Sequence, residues 1–187
     1  DSIPLVAITG QVATAVIGTD AFQESDIIGM LVPVTKQAYV LDDPYEIPRV
    51  VKEAFYLANT GRKGPVNVDF PKDIANAVVP DDGFDTTVRY PVPSPPGIGK
   101  EQLAHARKLM AASKRPVVFV GHGVIQAEAR EEVLGFIERS HMPFSFTLHG
   151  ISAIPADHPQ CLGMMGMHGT VEANRAIERA DLIVALG

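Results

Sequence analysis

A single cysteine, Cys161, stands in 187 residues. No disulfide can therefore form within the chain, and the sequence fits a reducing compartment such as the cytoplasm. No basic neighbour flanks Cys161, so it reads as an inert buried thiol rather than a reactive one. No apolar run approaches the roughly 18–20 residues that span a bilayer. No block of Lys or Arg offsets the net charge of −6, which argues against nucleic acid or an anionic membrane as partner. The six histidines include no pair spaced i, i+3 or i, i+4, and no second cysteine exists to complete a zinc site. A G-x-S-x-G turn is missing too, and with it the usual support for Ser-His-Asp catalysis. These absences favour cofactor chemistry over an intrinsic side-chain nucleophile, and no metal ligands are assigned.

What is present is an ordinary globular composition, 46% apolar and 20% charged. Residues 3–9 are a short apolar run that reads as a buried parallel strand. Thr19 or Asp20 is placed to cap a short helix bearing Phe22 and Gln23, with Glu24 in its first turn. Val32 to Val40 reads as a second strand. Between Pro44 and Asn59, Ile47, Val50, Val51, Ala54, Phe55 and Ala58 fall at helical spacing, with Gly61 just past the end. Pro65 to Phe70 reads as a third strand, completing a β-α-β-α-β alternation that implies a parallel sheet. Six prolines and three glycines then interrupt residues 71–99, and the segment from Tyr90 to Gly97 is expected to be extended and stiff. Alternation resumes with a helix near 100–113, a strand at 117–121 and a helix near 126–139. A strand around 143–147, a helix near 170–179 and the run Leu182 to Leu186 follow. The fold class is α/β: two Rossmann-like parallel-sheet units over 1–73 and 100–187, joined by a Pro-rich linker over 74–99. Asp1 lies just before a core strand and Gly187 where a strand turns into its next helix, so both units are expected to be incomplete pieces of a longer protein.

One stretch is more specific than the rest. Gly18-Thr19-Asp20-Ala21-Phe22-Gln23-Glu24 follows Ile8-Thr9-Gly10-Gln11-Val12. It precedes, some forty residues on, Gly61-Arg62-Lys63-Gly64, a buried strand and Pro71-Lys72-Asp73. With Gly166-Met167-His168-Gly169-Thr170 it resembles the thiamine-diphosphate-dependent family of 2-keto acid carboligases and decarboxylases. The wording is most similar to members that condense two pyruvates, or pyruvate with 2-ketobutyrate, in branched-chain amino-acid biosynthesis. Glyoxylate carboligase and pyruvate oxidase are alternatives within the family, and a non-catalytic nucleotide-binding α/β module is an alternative outside it.

The resemblance implies thiamine diphosphate, Mg²⁺ and FAD as cofactors, with the activating glutamate and the Mg²⁺–diphosphate motif in segments other than this one. By the same resemblance, residues 1–73 are part of a pyrimidine-binding domain, and residues 100–187 part of a central FAD-binding-type domain. It implies an apolar wall from Phe22 and a polar group near cofactor and substrate from Gln23. Lys36, Lys72 and Ala13 would border the substrate channel, Ala13 standing where plant members commonly carry proline. Arg62, Gly121, Gly123, Thr147, Leu148, Met165, Gly166, Met167 and His168 match flavin-contacting segments. A homodimer or homotetramer, a small regulatory subunit and, in plants, a plastid location are implied as well. Without the resemblance, Gly121-His122-Gly123 after a strand is a weak phosphate-binding signal, because position 126 is Gln rather than the third glycine of the dinucleotide fingerprint.

Overall fold

The computed structural model of the protein describes residues 1–80, 83–85, 87–91, 94 and 97–187. It divides into two units, Asp1–Pro95 and Pro96–Gly187. Val92, Pro93, Pro95 and Pro96, in the stretch expected to be extended and stiff, lie outside the described residues.

The first unit runs β1 (Leu5–Gln11), α1 (Ile27–Leu31), β2 (Gln37–Val40), α2 (Ile47–Asn59), β3 (Pro65–Pro71) and α3 (Lys72–Ala75). Its strands are parallel in the order β1-β3-β2, with β1 in register from Leu5↔Pro65 to Gln11↔Pro71. β3 is central, so Val66 and Val68 lose all contact with water against Val50, Ala54 and Ala58 of α2. Alanines at helical spacing let that helix lie close to the sheet. Asp43 accepts a hydrogen bond from Tyr45 N–H (2.8 Å) ahead of α2, and Gly61 follows it with φ +61°. Phe84 and Tyr90 pack within this unit: Tyr90 stacks on Tyr56 at 5.0 Å, and Phe84 lies 6.4 Å from Tyr45.

The second unit runs α4 (Lys100–Ala112), β4 (Pro116–Val120), α5 (His122–Gln126), α6 (Arg130–Ser140), β5 (Phe144–Phe146), β6 (Cys161–Met164), α7 (Val171–Arg179) and β7 (Leu182–Leu186). The four strands are parallel in the order β6-β5-β4-β7. Val118, Val120, Ile137, Phe144, Phe146 and Ile154 form the core, each contributing roughly 1.5–3 kcal/mol by burial.

Several expectations are corrected. No helix carries Phe22 and Gln23: φ is positive at Gly18, Asp20 and Gln23, a conformation that breaks helical continuity. The helix begins later, at Ile27, where Asp26 accepts from Gly29 N–H (2.8 Å). The second strand is only Gln37–Val40, because Val34 and Thr35 donate their N–H groups back to Leu31 O in a turn. The helix expected near 126–139 is α6, which starts only at Arg130 because Glu128 takes φ +53°; the separate short helix α5 ends at Gln126. β6 was not anticipated; its register is irregular and Gly163 has φ +86°.

β7 is held at its start by Asp181. This carboxylate accepts from Lys114 N–H (2.9 Å), Arg115 N–H (2.8 Å) and the Ser113 hydroxyl. The Ser113 hydroxyl and those two amides lower its pKa from 3.8 to about 2. A depressed folded pKa adds stability that is complete above the unfolded value and lost as pH falls through the folded one. Asp181→Asn is therefore expected to lower the melting temperature at pH 7, with the gap from the parent closing as pH drops from about 4 towards 2. Thermal unfolding across that pH range checks it.

Candidate functional site

In a parallel sheet every strand ends on the same edge, and the loops leaving that edge converge. In the first unit β1 ends at Gln11 and β3 at Pro71, side by side. A cleft of about 770 Å³ opens there, lined among others by Gln11, Ala13, Phe22, Gln23, Phe70 and Lys72. Four residues singled out from sequence, Ala13, Phe22, Gln23 and Lys72, are thus brought together. Phe22 is 91% exposed, so it is no core residue but an apolar ring presented to the cleft. Lys72 opens α3, also at the edge of the cleft.

Lys36 is not brought there. Its N–H donates to Pro65 O at the opposite edge of the sheet, and its ammonium donates to Thr60 O (2.6 Å) and Leu57 O. It neutralises the carbonyl end of α2, where a cation is favoured by the helix dipole. Arg62, just beyond, donates from Nε to Ser2 Oγ (2.9 Å).

Residues not assigned from sequence hold the cleft in shape. Asp69 and Asn67 have no exposed surface. Asp69 accepts from Thr9 Oγ1 (2.7 Å) and Gln11 Nε2 (3.2 Å), while Asn67 Nδ2 donates to Thr9 Oγ1 (3.2 Å). Gln11 Nε2 also donates to Ser25 O (2.8 Å), and its Oε1 accepts from Val12 N–H (2.9 Å). Asp73 holds the next turn, accepting from Thr14 N–H (3.0 Å) and the Thr14 hydroxyl (2.5 Å), which keep its pKa below the ordinary value. Glu24 accepts from Gly18 N–H and from Ala21 N–H (3.0 Å), and these bonds lower its pKa as well. A sequence signal for the first pair existed: polar residues alternate inside the apolar strand at positions 67 and 69.

In the second unit the same logic gathers the remaining residues. Gly121 follows β4, Thr147 and Leu148 follow β5, and Met165 to His168 follow β6, all at carboxyl ends of adjacent parallel strands. Leu148 and Met167 are 66% and 92% exposed. Asn174 shapes the last loop by donating to Gly166 O and accepting from Gly166 N–H, each at 2.9 Å. Gly169 leaves no room for a side chain, since a Cβ would lie 2.2 Å from Met164 O.

The glycines of the Gly121-His122-Gly123 turn answer a packing demand. A Cβ on Gly121 would sit 2.0 Å from Gly187 O, and one on Gly123 2.6 Å from Gly187 Cα. Gly121 N–H is spent on Leu186 O (2.8 Å). A phosphate cradle built on that amide does not fit. Gly121→Ala is therefore expected to lower the melting temperature in flavin-free buffer, by overpacking worth about 1–3 kcal/mol. Differential scanning calorimetry without flavin reads this directly.

Residues 103–187 match the family model described as thiamine pyrophosphate enzyme, central domain. That second unit is thus similar to the central domain of thiamine pyrophosphate enzymes. Over its whole length it is 46% identical to the acetolactate synthase large subunit of Corynebacterium glutamicum, covering 30% of that protein. It is 47% identical, again over all of its length, to acetolactate synthase 2, chloroplastic, of Zea mays, covering 29%. With acetolactate synthase isozyme 3 large subunit of Escherichia coli it shares 45% identity over the whole chain and 33% of the relative. The chain spans about a third of the length of these curated relatives. Among the described residues no helix is long and apolar enough to cross a membrane.

Proposed function

We propose that this chain is part of the catalytic subunit of an acetolactate synthase, joining two pyruvates, or pyruvate and 2-ketobutyrate, with release of CO₂. One observation carries the reading. The cleft at the carboxyl ends of β1 and β3 collects Ala13, Phe22, Gln23 and Lys72 in a chain similar along its entire length to acetolactate synthase large subunits. That whole-length similarity favours an enzyme over a stand-alone nucleotide-binding module.

Bound thiamine diphosphate supplies the electron sink for losing CO₂ from a 2-keto acid and passing the remaining acyl carbons to a second carbonyl. This chain's own residues form the wall around that chemistry. The exposed Phe22 ring excludes water beside the reacting carbons, which strengthens polar contacts within the cleft. Gln23 offers an amide that donates to a keto-acid oxygen and accepts from a hydroxyl. The Lys72 ammonium draws anionic substrate towards the mouth. Mg²⁺ belongs with the diphosphate, on residues of other segments. FAD is assigned to the carboxyl edge of the second unit, against Leu148, Met167 and His168, in a structural role. Residues 1–73 are read as part of the pyrimidine-binding domain and 100–187 as part of the central domain. Homo-oligomers and a small regulatory subunit complete the assembly, in the cytoplasm or, in a plant, the plastid.

Ala13 has φ −59°, already the angle that a proline ring fixes. Ala13→Pro is thus compatible with the turn and alters only its stiffness and the bulk lining the channel.

The test uses the full-length protein containing this chain, with thiamine diphosphate, Mg²⁺, FAD and pyruvate. Acetolactate formation is expected, with Gln23→Ala lowering kcat/KM by about 10²-fold, on the order of one misplaced site contact. The 187-residue chain alone is expected to yield no acetolactate above a protein-free control, and no acetolactate from the full-length protein would overturn the reading.

A further inference from the structure

The turn that carries Phe22 and Gln23 has almost nothing apolar to hold it. From Val12 to Ser25 no side chain is fully buried, so the hydrophobic effect that fixes the strands contributes little here. The backbone is also unfavourable in places. Gly18, Asp20 and Gln23 have φ of +84°, +58° and +67°, and non-glycine residues persist in that region only when their surroundings enforce it.

What enforces it is Glu24. One carboxylate oxygen accepts from Gly18 N–H and the other from Ala21 N–H (3.0 Å), while Glu24 N–H donates to Ala21 O (2.9 Å). The carboxylate thus bridges both ends of the turn within which Phe22 and Gln23 project. The next residue is anchored to the sheet, because Ser25 O accepts from Gln11 Nε2. Charge-assisted bonds to backbone amides are about twice as strong as neutral ones, so they outweigh the backbone strain of the turn.

We infer that Glu24 is the positioning residue of the cleft: it touches no substrate, and it acts by fixing the turn that presents Phe22 and Gln23. This rests on the reading of the cleft as the substrate site, but the clasp itself does not. Two kinds of measurement separate them. Amide hydrogen exchange at Gly18 and Ala21, followed in the full-length protein without substrate or cofactor, reports the clasp alone. Glu24→Gln keeps the shape but offers a single acceptor oxygen, so exchange at one of those amides should accelerate while the melting temperature stays near that of the parent. Steady-state kinetics of the full-length protein report the consequence. Glu24→Gln should lower kcat/KM about tenfold and Glu24→Ala about a hundredfold, the scale of a small misplacement of reacting groups. The decisive arm is a double-mutant cycle. In a Gln23→Ala background Glu24→Gln should cost less than it does in the parent, because one of the two side chains it positions is gone. Glu24→Asp, which restores a carboxylate, should recover part of the loss.

Unchanged exchange at both amides would overturn the clasp. Full activity in Glu24→Gln, or effects of Glu24→Gln and Gln23→Ala that simply multiply, would overturn the positioning role. A parent protein without acetolactate formation but with faster exchange in the variant would overturn the proposed function and leave the clasp standing.

Discussion

A carboxyl group sealed from water must find its partners inside the protein, and Asp69 finds them on the neighbouring strand. It has no exposed surface, and its oxygens accept from Thr9 Oγ1 and Gln11 Nε2. Burying such a group without partners would cost several kcal/mol, so β1 is fixed opposite β3 in one register and no other. A slip by one residue would turn Thr9 and Gln11 to the other face. The same bond orients Gln11, whose amide then reaches Ser25 O and Val12 N–H. The loop above the sheet is therefore placed by a polar contact that begins in the core.

From that anchor the placement of everything else follows the direction of the strands. Parallel strands send all their carboxyl ends to one edge, and both sheets of this protein are wholly parallel. In each unit the residues suited to recognition lie in the loops leaving that edge, while the amino edge carries structural duties. Lys36 shows the contrast, since its ammonium closes the end of α2 rather than facing a ligand. The two edges differ in tolerance as well. Gly121 and Gly123 are packed against backbone of the neighbouring strand end, whereas Leu148 and Met167 project from the same edge.

Much of this architecture was legible in sequence. Strands with continuous apolar runs, such as Pro116–Val120 and Leu182–Leu186, and α2 with its helical spacing announce themselves, because unbroken apolar stretches and amphipathicity leave simple patterns. Cys161–Met164 left none: its strand is irregular, and Gly163 adopts a positive φ. The Phe22–Gln23 turn was misread for a related reason. Asp20-Ala21-Phe22-Gln23-Glu24 looks like a capped helix start, and only the left-handed angles at Asp20 and Gln23 reveal that Glu24 bonds backwards across a loop. Long-range pairs were beyond any local pattern. Asp69 with Gln11 and Asp73 with Thr14 are separated by 58 and 59 residues, and Lys36 reaches 24 residues ahead to Thr60. The cleft residues Ala13, Phe22, Gln23 and Lys72 were identifiable through the family wording, but their convergence required the strand register.

The first unit thus combines a rigid floor with a loop held by charge. Val66, Val68 and α2 supply apolar burial that does not depend on protonation. The loop depends on Glu24 and Asp73, whose carboxylates are held below their ordinary values of 4.5 and 3.8 by the hydrogen bonds they accept. Groups with depressed folded pKa hold their structure fully above the unfolded value and release it as pH falls through the folded one. In acid, then, the loop should loosen, while the packing of Val66 and Val68 against α2 involves no titrating group. At neutral pH both clasps are closed. A site built this way is ordered under working conditions without the stability of a buried core, and keeping the loop out of the core is what leaves Phe22 and Gln23 exposed enough to meet a ligand.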